Sequence, residues 1–325
     1  MPVVVVHGGA GDWRVVFEAA RREGLDLDEG RVLEAVRAAA LAGLEALEGG
    51  GSALDAVVEA VRYMEDSGVF NAGVGSALDA AGGICMDAGV MYSEGPRAGA
   101  VACVRHPRNP VVLARRVMEL TDHVIMCCGH ADRLAEELGL EAHPGPSPRA
   151  RALWSLYKER LAAGSRPASW WNRNSRAARL LGILPGDTVG AVAVDAQGRL
   201  AAAVSTGGTT FKLPGRIGDS PVPGAGFYAL PGGAAAATGV GEAIMIAGLS
   251  LRAVELMRQG VPAGEAGRAA LALLERLTGM GAGLILAEPG SAAAVFNTAS
   301  MPHAIASPAL KEPVASIWKP TMIKL

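Results

Sequence analysis

The sequence predicts an α+β fold: a layered sandwich in which sheets and paired helices alternate irregularly. Three observations carry this. Short runs of small and β-branched residues recur along the chain, alanine- and leucine-rich stretches with helical spacing come in pairs, and no regular strand–helix–strand rhythm joins them. A doubly wound parallel sheet would need that rhythm. No internal repeat is visible.

Val3 to Val6 reads as a buried strand entering the glycine turn His7 to Gly11. Arg31 to Leu47 has helical spacing, and Ser52-Ala53-Leu54-Asp55 is a capping-box start for a helix reaching Glu65. Gly83 to Met91, Ala98 to Arg105 and Val124 to Cys128 read as strands, interleaved with helices near Pro110 to Glu119 and Ala131 to Leu138. The proline-rich run His143 to Pro148 breaks the pattern before a helix from Ala150 to Ala162 and a loose, polar, tryptophan-containing stretch. Thr238 to Leu256 reads as one long helix. A helix from Ala263 to Leu277 and strands near Leu284 and Ala293 complete the expected elements.

The central stretch is the most specific. Thr188 to Asp195 alternates small and β-branched residues, Ala196-Gln197-Gly198 makes a turn, and Arg199 to Thr206 returns. Gly198 suits the left-handed position of a three-residue hairpin loop. If Asp195 pairs with Arg199, antiparallel pairing places Thr188 directly opposite Thr206. A slip of one residue would send the two hydroxyls to opposite faces, so the turn decides the matter. A threonine hydroxyl becomes a useful nucleophile only beside a base, and an N-terminal threonine carries its own α-amine. That amine titrates near ~8, leaving roughly a tenth neutral at pH 7. Thr188 is internal, so this chemistry requires cutting the bond between Asp187 and Thr188. On the hairpin alone, an ordinary strand threonine is the commoner reading.

Bulk properties narrow the classes. Half of the 325 residues are hydrophobic and the formal net charge is −2, without a basic stripe or an acidic tail. That argues against a nucleic-acid partner. No apolar run approaches the ~20 residues that span a bilayer. The N-terminus lacks a basic leader and reads as a first strand, so a cytoplasmic location is expected. The four cysteines, Cys85, Cys103, Cys127 and Cys128, show no disulfide-framework spacing. His123, Cys127, Cys128 and His130 could suggest a transition-metal site. Strand alternation would put the adjacent cysteines on opposite faces, and a core strand is the stronger reading. Gly73-Val74-Gly75 and Gly239-Val240-Gly241 lack the third glycine of a dinucleotide fingerprint, no Walker-type lysine follows, and no Gly-x-Ser-x-Gly elbow occurs.

Gly186 to Val192, Ser205-Thr206-Gly207-Gly208, Lys212-Leu213-Pro214-Gly215-Arg216-Ile217-Gly218-Asp219-Ser220-Pro221 and Ala237 to Glu242 resemble the plant-type asparaginase/isoaspartyl peptidase family of N-terminal-nucleophile hydrolases. Val6 to Gly11, Phe70 to Ser76 and Phe296-Asn297-Thr298 extend the likeness over nearly the whole chain. The region from about His143 to Pro185 shows no match, as expected of a variable linker before the cut.

The resemblance implies a four-layer αββα sandwich: one domain over residues 1–325, processed into an α subunit, 1–187, and a β subunit, 188–325. Two such αβ pairs would form a dimer of heterodimers. The implied reaction is hydrolysis of L-asparagine and β-aspartyl dipeptides with Thr188 as nucleophile. Thr206 would handle protons, Asn71 would orient the nucleophile, and Thr238 with Gly239, read as the start of a helix, would hold an oxyanion. Arg216 would clamp the substrate carboxylate and Asp219 its ammonium, with Gly239 and Gly241 lining the site. No cofactor is implied for catalysis. A structural sodium ion would sit on the carbonyls of Met64, Glu65, Ser67, Phe70, Ala72 and Val74. Asp187 resembles the aspartate of glycosylasparaginases, which keeps that sugar–asparagine hydrolase as an alternative, and Met301-Pro302-His303 departs from the usual pattern. A non-catalytic small-ligand-binding protein is the alternative of another class.

Overall fold

The computed structural model describes residues 1–162 and 188–325. Strand β1 (Val3–His7) leads to helices α1 (Trp13–Arg22), α2 (Glu29–Glu48) and α3 (Ala53–Ser67). Then come β2 (Met86–Tyr92), β3 (Arg97–Val104), α4 (Pro110–Leu120), β4 (Ile125–Cys127), α5 (Cys128–Glu137) and α6 (Pro148–Ala162). The second half runs β5 (Val189–Val194), β6 (Leu200–Thr206), β7 (Phe227–Leu230), β8 (Gly233–Gly239), α7 (Gly241–Ala247), α8 (Leu249–Arg258) and α9 (Ala263–Thr278). It closes with β9 (Ala282–Glu288), β10 (Ser291–Phe296), β11 (His303–Ala306), β12 (Val314–Ser316) and β13 (Thr321–Lys324). The fold is therefore mixed α+β.

One sheet has the order β12-β11-β1-β5-β6-β2-β3-β4, with only β3 and β4 parallel; the other runs β13-β10-β9-β8-β7. Side-chain alternation sorts the core. Val4, Val6, Val90, Val101, Ala191 and Ala203 pack with α2, α3 and α4. The other face, with Val3, Val5, Val192, Val194 and Val204, meets Phe227, Ala236 and Ile285 of the second sheet. That sheet's outer face, with Ala235, Ala237, Leu284 and Leu286, packs on Ile244, Leu249, Leu271 and Leu274 from α7 to α9. Burying each such aliphatic side chain contributes roughly 1.5–3 kcal/mol.

The hairpin forms in the expected register: Val194 pairs with Leu200 and Val189 with Ser205. Gly198 has φ +77° and its N–H donates to the Asp195 carbonyl. Asp195 Oδ1 also accepts the N–H groups of Gln197 and Arg199, which pins the turn and with it the position of Thr188. The helix at Ser52 has its full capping box, with the Ser52 hydroxyl and the Asp55 carboxylate each accepting the other's backbone N–H.

Three expectations are overturned. Thr238 and Gly239 finish strand β8 instead of opening a helix: Thr238 pairs with Gly283 and Gly239 with Ala282. The alanine run before them favours a helix by propensity, yet small side chains also fit a strand packed tightly on both faces, and here packing decides. The helix that follows starts at Gly241 and breaks at Gly248, whose φ is +57°, so the expected single helix to Leu256 is two. Finally, Val124 to Cys128 is not a core strand. Ile125 and Cys127 are exposed on the sheet's edge, and Cys128 opens α5.

Candidate active site

At the mouth of the hairpin, the Thr188 hydroxyl lies 3.4 Å from that of Thr206, and both residues are buried. Both belong to the sheet face that meets the second sheet, since Thr188 alternates in phase with Val192 and Thr206 with Val204. Thr206 Oγ1 accepts the Gly208 N–H at 2.9 Å. Asn71 supports that turn: its side-chain NH2 donates to the Gly208 carbonyl at 2.7 Å, its backbone carbonyl accepts the Gly207 N–H, and its Oδ1 accepts the Ala77 N–H. Asn71 thus reaches Thr206 through the Gly207-Gly208 turn.

Thr238 is fully buried, and its hydroxyl accepts the Ala10 N–H at 3.0 Å. Gly239 follows at φ +139°, a conformation that side chains other than hydrogen rarely permit. The two are held by the β8–β9 ladder and by the glycine turn after β1, so the dipole of α7 begins two residues beyond them.

The charged corner differs from its sequence reading. Arg216 and Asp219 stand three apart in one loop, but Arg216 pairs with Glu242 in the first turn of α7. Nε and Nη2 each donate to its carboxylate at 3.0 Å, a bidentate pair. Asp219 is buried, and its Oδ2 has no hydrogen-bond partner among the described residues. Burial pushes its carboxyl up to about 7 despite the nearby Arg216 guanidinium. Burial also opposes the charge of Glu242, yet the hydrogen bond and charge of Arg216 hold that carboxyl below its ordinary range. Gly241 sits over both groups: a Cβ there would lie 2.7 Å from Asp219 Oδ1 and 2.8 Å from Arg216 Nη2. The corner therefore offers a guanidinium already oriented by one carboxylate, and beside it an acid short of a partner.

Sequence reasoning assigned no site role to four residues that border this arrangement. His7 is buried, packs over Gly190 and lies against the Thr188 backbone without completing a hydrogen bond. Burial drives its imidazole down to about 3, so it is neutral. Lys212 and Asp87 are both fully buried, and Asp87 pairs with Thr206 across β2 and β6. Glu242 is the fourth. Burial next to the strand end would have flagged His7, Lys212 and Asp87, and the ion pair with Arg216 the part-exposed Glu242, but neither is written in local sequence.

The candidate cation loop after α3 brings the carbonyls of Phe70 and Gly68 towards one point beside Gly75, where a Cβ would collide with the first and lie 3.1 Å from the second. The Ser67 hydroxyl donates to the Met64 carbonyl, and the Gly75 N–H to that of Ala72. The stretch from His143, expected as the start of a variable linker, is tied down: its Nε2 donates to the Gly73 carbonyl at 2.8 Å and its Nδ1 accepts the Gly145 N–H. Asp187, the other side of the expected cut, lies outside the described residues, as does the tryptophan-containing stretch. Among the described residues no group of three or more His, Cys, Asp or Glu side chains is placed to hold a metal ion, and His123, Cys127, Cys128 and His130 form no such group.

Fold and site define a class: a mixed α+β chain with buried polar side chains beside an internal threonine at a hairpin mouth. The comparisons then specify it. The asparaginase family model matches residues 1–313, and the chain belongs to the asparaginase family. A plant-type L-asparaginase of Pyrobaculum calidifontis is 46% identical over 267 residues, covering 80% of this chain and 81% of its own. That of Pyrococcus abyssi is 36% identical over 319 residues, 98% of this chain and 100% of its own. An isoaspartyl peptidase/L-asparaginase of Xenopus laevis is 39% identical over 305 residues, 92% and 90% of the two chains.

Proposed function

We propose that this protein is a threonine amidohydrolase that releases L-aspartate from L-asparagine and from β-aspartyl dipeptides after cutting itself between Asp187 and Thr188. The observation that carries the reading is the Thr188–Thr206 hydroxyl pair, with Asp87 opposite Thr206 and within electrostatic reach of a corner that holds one oriented guanidinium and one under-partnered carboxylate. These are the complements of an α-carboxylate and an α-ammonium on one carbon. With those ends held by Arg216 and Asp219, the side-chain carbonyl faces Thr188. Asparagine and β-aspartyl peptides share that end and differ only in the leaving amine.

In this mechanism the freed Thr188 α-amine takes the hydroxyl proton as Oγ1 attacks the carbonyl carbon. The Thr238 hydroxyl and the Gly239 N–H stabilise the oxyanion, and the proton passes to the departing amine. Water then hydrolyses the acyl-enzyme and aspartate leaves. Thr206 keeps the nucleophile's hydroxyl oriented, and Asn71 keeps Thr206 in place. The reaction needs no cofactor. A sodium ion would sit on the neutral carbonyls of Met64, Glu65, Ser67, Phe70, Ala72 and Val74, oxygen donors suited to a hard monovalent cation, and would brace the loop that carries Asn71.

The three core clusters support a single αββα sandwich of the N-terminal-nucleophile type, in which residues 1–187 and 188–325 stay associated after the cut because β1 and β5 are neighbours. We assign the mature form to a dimer of such αβ pairs, which light scattering tests. A cytoplasmic location accords with four unpaired cysteines. No helix among the described residues is long and apolar enough to cross a membrane. The decisive experiment is mass spectrometry of the purified protein with Thr188→Ala alongside. The parent should give a chain starting at Thr188, and the variant should stay whole and inactive. A different N-terminus, or an active variant, overturns the mechanism.

A further inference from the structure

Lys212 is 1% exposed and Asp87 is fully buried, their charged atoms 3.7 Å apart. The ammonium donates to the Cys85 carbonyl at 2.7 Å, while Asp87 Oδ1 accepts the Cys103 N–H and Oδ2 has no hydrogen-bond partner among the described residues. A buried ion pair seldom stabilises a fold better than apolar packing would, so its position invites a functional explanation. Thr188, immediately before β5, stands beside Thr206 of β6, and Asp87 of β2 stands opposite Thr206 on the next strand. All three lie on the face turned to the second sheet, where Gly89, in phase with Asp87, meets Phe227. Neighbouring strands are ~4.8 Å apart, which puts Asp87 about two strand spacings from Thr188. Lys212 lies at the same end: its Nζ is 2.5 Å from where a Cβ on Gly208 would be, and Gly208 donates to Thr206.

We propose that the Lys212–Asp87 pair sets the proton affinity of the α-amine that cleavage frees on Thr188. The inference rests on the nucleophile reading above. An ammonium disfavours protonation of a nearby amine and a carboxylate favours it, so the two buried charges pull in opposite directions and their balance holds the amine near neutrality. Other titratable groups face the same space. His7 from β1 and His303 from β11 both have lowered proton affinity through burial. Arg216 and Asp219 come from the loop and Glu242 from α7. Beside the pair itself, Cys85 is drawn down to about 7, first by its hydrogen bond from Cys103, and Cys103 is pushed up by the same contact. All of these remain when Lys212 or Asp87 alone is changed.

The test reads the amine directly. Cyanate carbamoylates only neutral amines, and the mass of the β-chain N-terminal peptide reports the reaction at Thr188 as a function of pH. Lys212→Met should raise the midpoint by roughly one pH unit and Asp87→Asn should lower it by a similar amount. The double variant should return close to the parent, and Lys212→Arg should keep the parent midpoint. Shifts of the same sign, or none, overturn the proposal, because a merely structural pair gives no opposed signs. Should Lys212→Met fail to mature, Asp87→Asn alone must lower the midpoint. A parent protein that never yields a Thr188 terminus overturns the nucleophile reading itself, whereas normal maturation with unmoved midpoints overturns only the role of the ion pair.

Discussion

The hydroxyl end and the charged corner of the site are built in different ways. Thr188 and Thr206 owe their meeting to sheet register: the Asp195-Ala196-Gln197-Gly198-Arg199 turn fixes one pair, and pairing carries the rest. Arg216, Asp219 and Glu242 owe theirs to tertiary packing, with a loop brought against the first turn of α7 at a close approach that only Gly241 permits. The hydroxyl end couples to the backbone by many short hydrogen bonds. The corner instead holds one ion pair and an unpartnered buried acid. Substitutions at the first should therefore act on chemistry, and substitutions at the second on substrate capture.

The largest effect expected at the corner is from Asp219→Asn. Removing the carboxylate leaves a substrate ammonium unpaired in a buried place, which typically costs about 3–5 kcal/mol, or roughly a 10²–10⁴-fold loss of kcat/KM carried mainly by KM. Blocking the ammonium should do the same from the other side, so an N-acetylated β-aspartyl peptide should be a poor substrate. Asp219 sits near 7 in the free protein and must be ionised to bind an ammonium. Because the Thr188 amine must also be neutral, kcat/KM of the parent should fall more steeply below that point than above it, and the Asp219→Asn variant should keep only the amine's own slope of roughly tenfold per pH unit. Equal kcat/KM for acetylated and free peptides would break the division between the two regions.

Gly241→Ala sharpens the comparison at a smaller scale. The added methyl would press on both Asp219 Oδ1 and Arg216 Nη2, shifting the corner without touching the hydroxyl pair. KM should rise roughly 10–100-fold, the range expected for a small misplacement of positioning groups, while the extent of cleavage at Thr188 is unchanged. A variant that fails to cleave would show that the corner also shapes the nucleophile.

How much of this was legible in the sequence follows the same division. The hairpin was readable because one turn propagates its register by simple alternation, and the capping box at Ser52 and Asp55 because its signal is local. Thr238 and Gly239 were misread as a helix start because alanine-rich sequence satisfies both a helix and a tightly packed strand, and only pairing with β9 selects between them. Glu242 as the partner of Arg216, and Lys212 beside Asp87, join residues 26 and 125 positions apart in the chain. No periodicity reports such contacts. The family likeness supplied Arg216 and Asp219 without saying which would be partnered.

The smallest effect concerns the far side of the hydroxyl end. Ser205, next to Thr206, faces the helices, where Glu65 of α3 lies fully buried against it. Glu65 Oε1 accepts the Val111 N–H near the start of α4, and Oε2 has no hydrogen-bond partner among the described residues. Burial pushes this carboxyl up to about 8, above its ordinary value of 4.5, so the acid is neutral in the folded protein over most of the working range. A folded-state affinity raised in this way stabilises fully below the unfolded value and is lost as pH climbs through about 8. Glu65→Gln keeps an acceptor for Val111, supplies a donor toward Ser205 and never ionises. Its melting temperature relative to the parent should therefore increase as pH rises from below the ordinary carboxyl range to above 8, by roughly a few degrees in total. Thermal melts across that range decide the matter. A difference that stays constant with pH would mean Glu65 is charged in the fold, and the hydroxyl end would then have a buried anion behind it as well as an ion pair beside it.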